Sequence, residues 1–415
     1  MKRLLALTCA LALICAVSLT GCVSWLGGAS SREPEEAPAG LSAEARALVQ
    51  AAYADVEPEQ LMDYHTHLVG LGTDSDAFVH PHMQSWWHPI ARLKFAVYAS
   101  AARIEDLERA DQQFVERLTR LVRAIPRHGR HLLLGFDRNH DTDGEPDLEL
   151  SEFYTPNAYA FRVAEGHPDL FVPAISIHPY REDAVEQLEL WAARGARVIK
   201  WLPNAMGIDP ADSRVDPFYA AMLKHDMILL THAGEERAVD ADEAQKLGNP
   251  LRLRRPLDLG VTVVVAHCAS LGTNEDLDDP ELLERDNLEL FLRLMDEPRY
   301  EGLLFGEISA LTQANRLPQA LAALLRRTDL HPRLVNGSDY PLPAVNVVIR
   351  MGALEGGGFL SEVEAELLEE IYDFNPLMFD YVLKRTVRAP DTGEAFAPEV
   401  FLEHPKLVVF RPSAK

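Results

Sequence analysis

Cysteine is scarce in this chain, with 4 among 415 residues. Cys9, Cys15 and Cys22 fall within the first 22 positions, so Cys268 stands alone in the remainder. A fold with one thiol has no intrachain disulfide, and core packing and any bound metal must hold it. No Gly-x-Gly-x-x-Gly follows an apolar run, which removes support for a dinucleotide site. No Gly-x-Ser-x-Gly occurs either, so a serine-hydrolase nucleophile elbow is absent. Basic residues are outnumbered, 40 Lys and Arg against 64 Asp and Glu, for a formal charge of −24. That balance repels nucleic-acid phosphates and excludes attachment to anionic lipid through basic side chains. Beyond the first 21 residues no segment is long and apolar enough to span a membrane.

What the chain does have begins with a leader. Lys2-Arg3 precedes an apolar run from Leu4 to Leu19. At about 16 residues the run is short of the roughly 20 a spanning helix needs. Leu19-Thr20-Gly21-Cys22 resembles a bacterial lipobox, which implies a signal peptide over 1–21, cleavage before Cys22 and lipid on that cysteine. An uncleaved anchor or an ordinary signal peptide is the alternative. Val23, rather than Asp, after the cysteine implies a lipid-anchored protein facing the periplasm from the outer membrane. Loss of Lys2 and Arg3 takes the charge from −24 to −26. Residues 22–42, rich in Gly, Ser, Pro and Glu, read as the lipidated cysteine and a flexible tether. A helix is expected from about Ser42 to Asp55 with Ser42 as N-cap.

The body of the chain alternates. Strands are expected at 61–67, 131–137, 170–177, 196–202, 226–232, 261–267, 302–309 and 333–339, most of them continuous apolar runs suited to burial on both faces. Helical patterns lie at 103–125, 182–194, 216–225, 281–296 and 314–327. Eight strands alternating with helices predict an α/β fold, a (β/α)₈ TIM barrel over 43–390 with long loop insertions at 68–100 and 138–165. A doubly wound open sheet is the rival. A C-terminal helical extension follows around 361–385, then a tail over 391–415.

Ligand-type residues sit at the C-terminal ends of these strands. Asp63-Tyr64-His65-Thr66-His67 closes the first, and two histidines one residue apart on a strand face the same way. Lys200 ends the fourth, His232 the fifth, His267 the sixth and Asp339 the eighth. In a barrel these ends converge on one mouth, where active sites of this architecture lie. Each alone is an unremarked polar strand end; together they predict a metal centre.

The pattern resembles the amidohydrolase superfamily, and most closely its amidohydrolase-related branch, from about residue 61 to 385. Asp63-x-His65-x-His67 looks like the first-strand motif. His232, His267 and Gly337-Ser338-Asp339-Tyr340-Pro341 look like the fifth, sixth and eighth, and Phe374-Asn375-Pro376 like the Asn-Pro helix near the branch's C-terminus. The resemblance implies one or two divalent ions, commonly zinc, held by His65, His67, His232 and Asp339. Asp339 would also take and return the proton of an activated water. His267 would bind a second ion or donate to the substrate oxyanion. Lys200 would be a carboxylated bridge between two ions, or a free ammonium. The expected activity is metal-dependent hydrolysis of an amide, lactone or ester in a small molecule, with decarboxylation as the alternative and a non-catalytic envelope binding protein as a third class.

Other candidates stand further from that motif set. Glu307, His178, Arg181 and Trp201 are candidate substrate-binding residues, with Trp86 and Trp87 as pocket walls. Asn139-x-Asp141-x-Asp143-Gly144-x-x-Asp147 spaces oxygens like the start of a calcium loop, though position twelve is Leu150 rather than Glu.

Overall fold

Eight short parallel strands form where the apolar runs lie: β1 Met62–His67, β2 Arg130–Leu134, β3 Phe171–Ala174, β4 Val198–Trp201, β5 Ile228–His232, β6 Thr262–Ala266, β7 Leu304–Glu307 and β8 Leu334–Val335. The computed structural model describes residues 26–27, 32–126, 128–141, 143–239 and 241–410. The leader and Cys22 lie outside the described residues. β1, β2 and β3 form one parallel group and β4 to β8 another. Bridges Ile175↔Ile199 and Thr66↔Tyr340 join the two groups edge to edge and close the cylinder. Closure on both sides rules out the open sheet and establishes the (β/α)₈ barrel.

Helices pack around it. α1 (Ala43–Ala52) starts at Ser42, whose hydroxyl accepts from the Ala45 amide at 3.1 Å, as expected. The long connection after β1 holds α2 (Pro89–Ala101) and α3 (Ala110–Arg123). The one after β2 holds α4 (Asn157–Gly166), a helix within the loop insertion expected over 138–165. These two excursions are tied together by an antiparallel pair, Phe78–Val79 with Phe153–Tyr154, over the strand C-termini. Further round come α5 (Ala184–Ala193), α6 (Asp216–Lys224), α7 (Asn287–Met295) and α8 (Gln319–Arg326). The C-terminal extension is α9 (Glu362–Phe374) and α10 (Pro376–Thr386). Asn375 caps α10, accepting from the Leu377 and Met378 amides, and its side-chain amide donates to Leu121 O at 2.8 Å. Among the described residues no helix is long and apolar enough to cross a membrane.

Inside the cylinder a core of Tyr64, Leu132, Leu134, Val172, Leu230 and Phe305, among others, continues into Leu407 and Val409. The tail expected over 391–415 is therefore structural as far as residue 410. It crosses the N-terminal end of the barrel, bridging Leu61↔Leu402 and Ala196↔Phe410, and buries Leu407 and Val409 completely. A barrel whose bottom layer is apolar needs such a plug, because its side chains would otherwise meet water.

The tether is also shorter than expected. Residues 32–42 are docked, with buried Pro34, Ala37 and Leu41 spaced at i, i+3 and i+7 along turns Pro34–Glu36 and Ala37–Gly40. Glu33 pairs with Arg103 and Arg120, each at 2.7 Å. The Pro- and Glu-rich composition that suggested a linker conceals one apolar face.

Candidate metal centre

Met62 and Tyr64 point into the barrel core. Strict alternation from Tyr64 would turn His65 and His67 outward. A register shift between Asp63 and Thr66 against β2 reverses the phase. Both imidazoles therefore face the mouth. Asp63 fastens this bend: its Oδ1 accepts from the His65 and Ser338 amides, each at 2.9 Å, and its Oδ2 lies 3.1 Å from His131 Nδ1.

On the other side of the seam, the Asp339 amide donates to His65 O at 2.7 Å and Asp339 adopts φ +60°. Aspartate tolerates that left-handed conformation better than most side chains. Gly337 is required for the approach. A Cβ there would lie 2.6 Å from both Glu307 Oε1 and His65 Cβ. His267, Cys268 and Ala269 all have positive φ, so the chain bends sharply after β6 and aims His267 across the mouth.

The side chains converge. His67 Nε2 lies 3.1 Å and His65 Nε2 3.5 Å from Asp339 Oδ1. Two ligands of a tetrahedral zinc at about 2.0–2.1 Å stand about 3.3 Å apart, so these separations fit one ion. The His232 Nε2 is buried without a hydrogen-bond partner, an orphan that a cation would satisfy. Its Nδ1 is 3.6 Å from Glu236 Oε2. The His232 and His267 rings are 5.4 Å apart, and those of His65 and His267 5.0 Å. His65, His67 and Asp339 together have the donor set and spacing for a divalent ion.

Glu307 is the residue that organises this group. Its Oε2 lies 2.8 Å from His65 Nδ1 and accepts from Ser309 Oγ at 2.8 Å. Ser309 Oγ in turn lies 2.6 Å from His267 Nδ1. With the Ser309 proton given to Glu307, His267 Nδ1–H must donate to Ser309. With Glu307 ionised, both imidazoles carry their proton on Nδ1 and present an unprotonated Nε2, as metal-binding histidines do when a carboxylate holds the far nitrogen.

Burial is the main electrostatic force here. It lowers the pKa of His65 far below the imidazole range, with Lys200 next in effect. His267 is lowered likewise by burial and then by Arg316. His232 is brought down to about 3 by burial, then by Lys200 and Arg316. These three imidazoles are neutral at physiological pH, the form that binds metal. Burial raises Glu307 and Glu236 and lowers Lys200. Lys200 Nζ stands 3.3 Å from His65 Nε2, inside the ligand group.

The mouth opens into a cavity of about 330 Å³ with mostly apolar walls, including Leu71, Phe95, Tyr98, Phe114 and Val239. Arg316 reaches this cavity, 8% exposed, with Nη1 donating to Ser270 Oγ at 2.8 Å and Nε unpartnered. Among the described residues no carboxylate lies within ion-pair distance of it. Neither Arg316 nor Glu236 carries a motif signal: Glu236 lies on the connection after β5, and Arg316, inside the span 314–327 expected to be helical, ends the turn Ala314–Arg316 ahead of α8.

The remaining candidates sit elsewhere. His178 is buried against Met206 O at 2.8 Å and the His140 ring, and Arg181 pairs with Asp137 and Asp183. Neither lines the cavity. Trp201 is wholly buried behind β4, stacked on Phe218, with its indole N–H donating to Ile177 O at 2.9 Å. It packs between strand and helix rather than facing substrate, because it follows Lys200 by one residue and so points to the other side. Trp86 and Trp87 are 79% and 90% exposed and wall nothing. Asn139–His140 pairs antiparallel with Pro146–Asp147. Asp141 accepts from the Asp143 and Glu145 amides and Asp147 from those of Glu149 and Leu150, while Asn139 Nδ2 donates inward to Ala205 O. Backbone amides occupy Asp141 Oδ1 and Asp147 Oδ1, so the Asp- and Gly-rich spacing serves the turn itself without an ion.

Fold and site define a class: a closed (β/α)₈ barrel with a histidine–aspartate group able to hold a metal ion at the C-terminal mouth of its strands. The amidohydrolase family model matches residues 62–377, and the chain belongs to that family, as the motifs implied. Members of the family bind divalent metal ions. No curated protein matches the chain. Among solved structures, it is similar to an uncharacterised TIM-barrel protein from Bordetella bronchiseptica, at 17% identity over 75% of this chain and 99% of that one, TM-score 0.45. A putative 2-pyrone-4,6-dicarboxylic acid hydrolase from Pseudomonas putida is similar at 16% identity over 68% and 83%, TM-score 0.39. A 5-carboxyvanillate decarboxylase from Sphingomonas paucimobilis is similar at 12% identity over 76% and 96%, TM-score 0.43. At these identities and scores the likenesses carry nothing about this chain's reaction.

Proposed function

We propose that this chain is a zinc-dependent hydrolase that cleaves an amide, lactone or ester bond in a small molecule, from a lipid anchor at Cys22 facing the periplasm, in the outer membrane. The observation that carries the reaction is the convergence of His65 Nε2 and His67 Nε2 on Asp339 Oδ1, at 3.5 and 3.1 Å, beside the orphaned His232 Nε2. A divalent ion held by His65, His67, His232 and Asp339 would supply Lewis acidity toward a carbonyl oxygen and would acidify water enough for reaction near neutral pH. Asp339 takes the proton of the attacking water and returns it to the leaving group. His267, its Nδ1–H committed to Ser309, offers Nε2 as a second proton acceptor or as a ligand. Arg316 supplies fixed positive charge for an anionic group on the substrate or for charge developing on its oxygen. The apolar walls exclude water and hold the substrate's body.

Decarboxylation is the second reading, and Arg316 is what favours it. An unpaired guanidinium beside the metal group is suited to orient a carboxylate. Turnover against a panel of carboxylated lactones, amides and aromatic acids separates the two. Ring-opened or cleaved acid without CO₂ supports hydrolysis, and stoichiometric CO₂ replaces it with the second reading. Turnover that survives Asp339→Asn would overturn both.

A further inference from the structure

α2 lies along the cavity with Phe95, Tyr98 and Ala99 on its inner side. Of its thirteen residues only Arg92 and Lys94 are charged and only Ala101 is buried. Its outer side is apolar as well: Ile90 is 84% exposed and Leu93 41%, and Trp86 and Trp87 precede it on the same surface stretch. Arg92 stacks on Trp86 at 3.2 Å. A helix in water keeps a polar face outward. One that is apolar on both sides, preceded by exposed tryptophans and carrying an arginine stacked on one of them, has the composition of a bilayer-interface element.

The course of the chain says what lies against it. Gly27 abuts the C-terminal turn of α2, where a Cβ on it would come within 2.4 Å of Ser100 Cβ. Leu26 O accepts from the Asn346 amide at 3.1 Å. Cys22 precedes Leu26 by four residues, which span at most about 14 Å when extended. α2 itself is about 20 Å long. An acyl group on Cys22 is thus held within about a helix length or two of Trp86, Trp87 and Ile90. A tether that short keeps the patch at high effective concentration against the leaflet, so weak insertion suffices.

We propose that Trp86, Trp87, Ile90 and Leu93 dock in the headgroup region of the bilayer that holds the acyl anchor, setting the cavity beside the membrane surface. The cavity then takes substrates that partition into lipid, small amphiphiles with an apolar body. The inference rests on the anchor at Cys22 and is independent of the reaction.

The test uses the full acylated chain with Trp25→Phe, in vesicles of phosphatidylethanolamine and phosphatidylglycerol with or without brominated acyl chains. Brominated lipid is expected to quench the tryptophan emission, and Trp86→Phe with Trp87→Phe to abolish that quenching. Trp191 and Trp201 are buried and contribute a constant background. Equal quenching with and without the two tryptophans overturns the proposal. So does full access of both rings to aqueous iodide in vesicles, or their protection without lipid in a sedimenting dimer, which would make a second copy the occupant. An unmodified Cys22 by mass spectrometry also overturns it and leaves the metal reading untouched. Loss of metal with quenching intact bears only on the reaction.

Discussion

Glu307 Oε2 sits 2.8 Å from His65 Nδ1, on the far side of the imidazole from Asp339. That contact fixes which nitrogen of His65 is free, and Ser309 extends the same control to His267. Glu307→Gln keeps the volume and removes the charge. Metal affinity is expected to fall about 10- to 100-fold, measured by competition with a chromophoric chelator. Unchanged affinity would make Glu307 a bystander to the ligand group.

The floor of β8 depends on α10. Lys384 Nζ donates to Gly337 O at 2.7 Å and to Asp380 Oδ2 at 2.6 Å, with both side chains buried. Lys384→Met leaves Asp380 an uncompensated buried acid and frees the segment after β8 that carries Asp339. Stability is expected to drop by about 3–5 kcal/mol, read from urea unfolding. Asp380→Asn together with Lys384→Met should restore part of it, because neither variant side chain is charged.

Acid stability has a sign that His232 sets. Its folded pKa is depressed to about 3 from an ordinary 6.5. Below pH 6.5 the unfolded chain takes a proton the folded chain refuses, so stability present above that pH is lost as pH falls toward the folded value. The loss approaches about 1.4 kcal/mol per pH unit for this group. His232→Asn lacks the titration. In metal-depleted protein the stability gap between parent and variant should therefore shift in the variant's favour from pH 6.5 down to about 4.5, at that slope. A gap independent of pH contradicts the buried, neutral imidazole.

The eight strands, and the polar residues His65, His67, His232 and Asp339 at their ends, were legible because each rests on a local pattern, an apolar run closed by a ligand-type side chain. Closure of the barrel then did the gathering. The β1 bulge was not legible: alternation counted from His65 to His67 is right, yet counted from Tyr64 it is wrong, and only the register against β2 shows the break. Leu407 and Val409 read as tail because the apolar run Leu407-Val408-Val409-Phe410 is only four residues long and follows a Pro-containing stretch beyond the eighth strand. Pro34, Ala37 and Leu41 were hidden by linker-like composition. Trp201 was misjudged although parity was available: its neighbour Lys200 faces inward, so Trp201 faces the helices. Glu307 was seen as a strand-end acid, but its role needs His65 and Ser309, and His65 is remote in sequence.

Lys200 decides how many ions the site takes. Its burial lowers the amine's pKa and leaves it receptive to carboxylation, yet Nζ stands 3.3 Å from His65 Nε2 within a single convergent group. One ion per chain is expected with or without bicarbonate. Two ions with bicarbonate, falling to one in Lys200→Ala, would establish a bridged pair instead.

Elemental analysis of the purified chain beside its His65→Ala, His67→Ala and Asp339→Ala variants is the most direct measurement. The parent should retain one equivalent of a divalent transition metal, zinc foremost, and each variant should lose it while unfolding cooperatively. A parent that turns substrate over without metal, or variants that keep the parent's metal content, would contradict the shared cation on which the site is built.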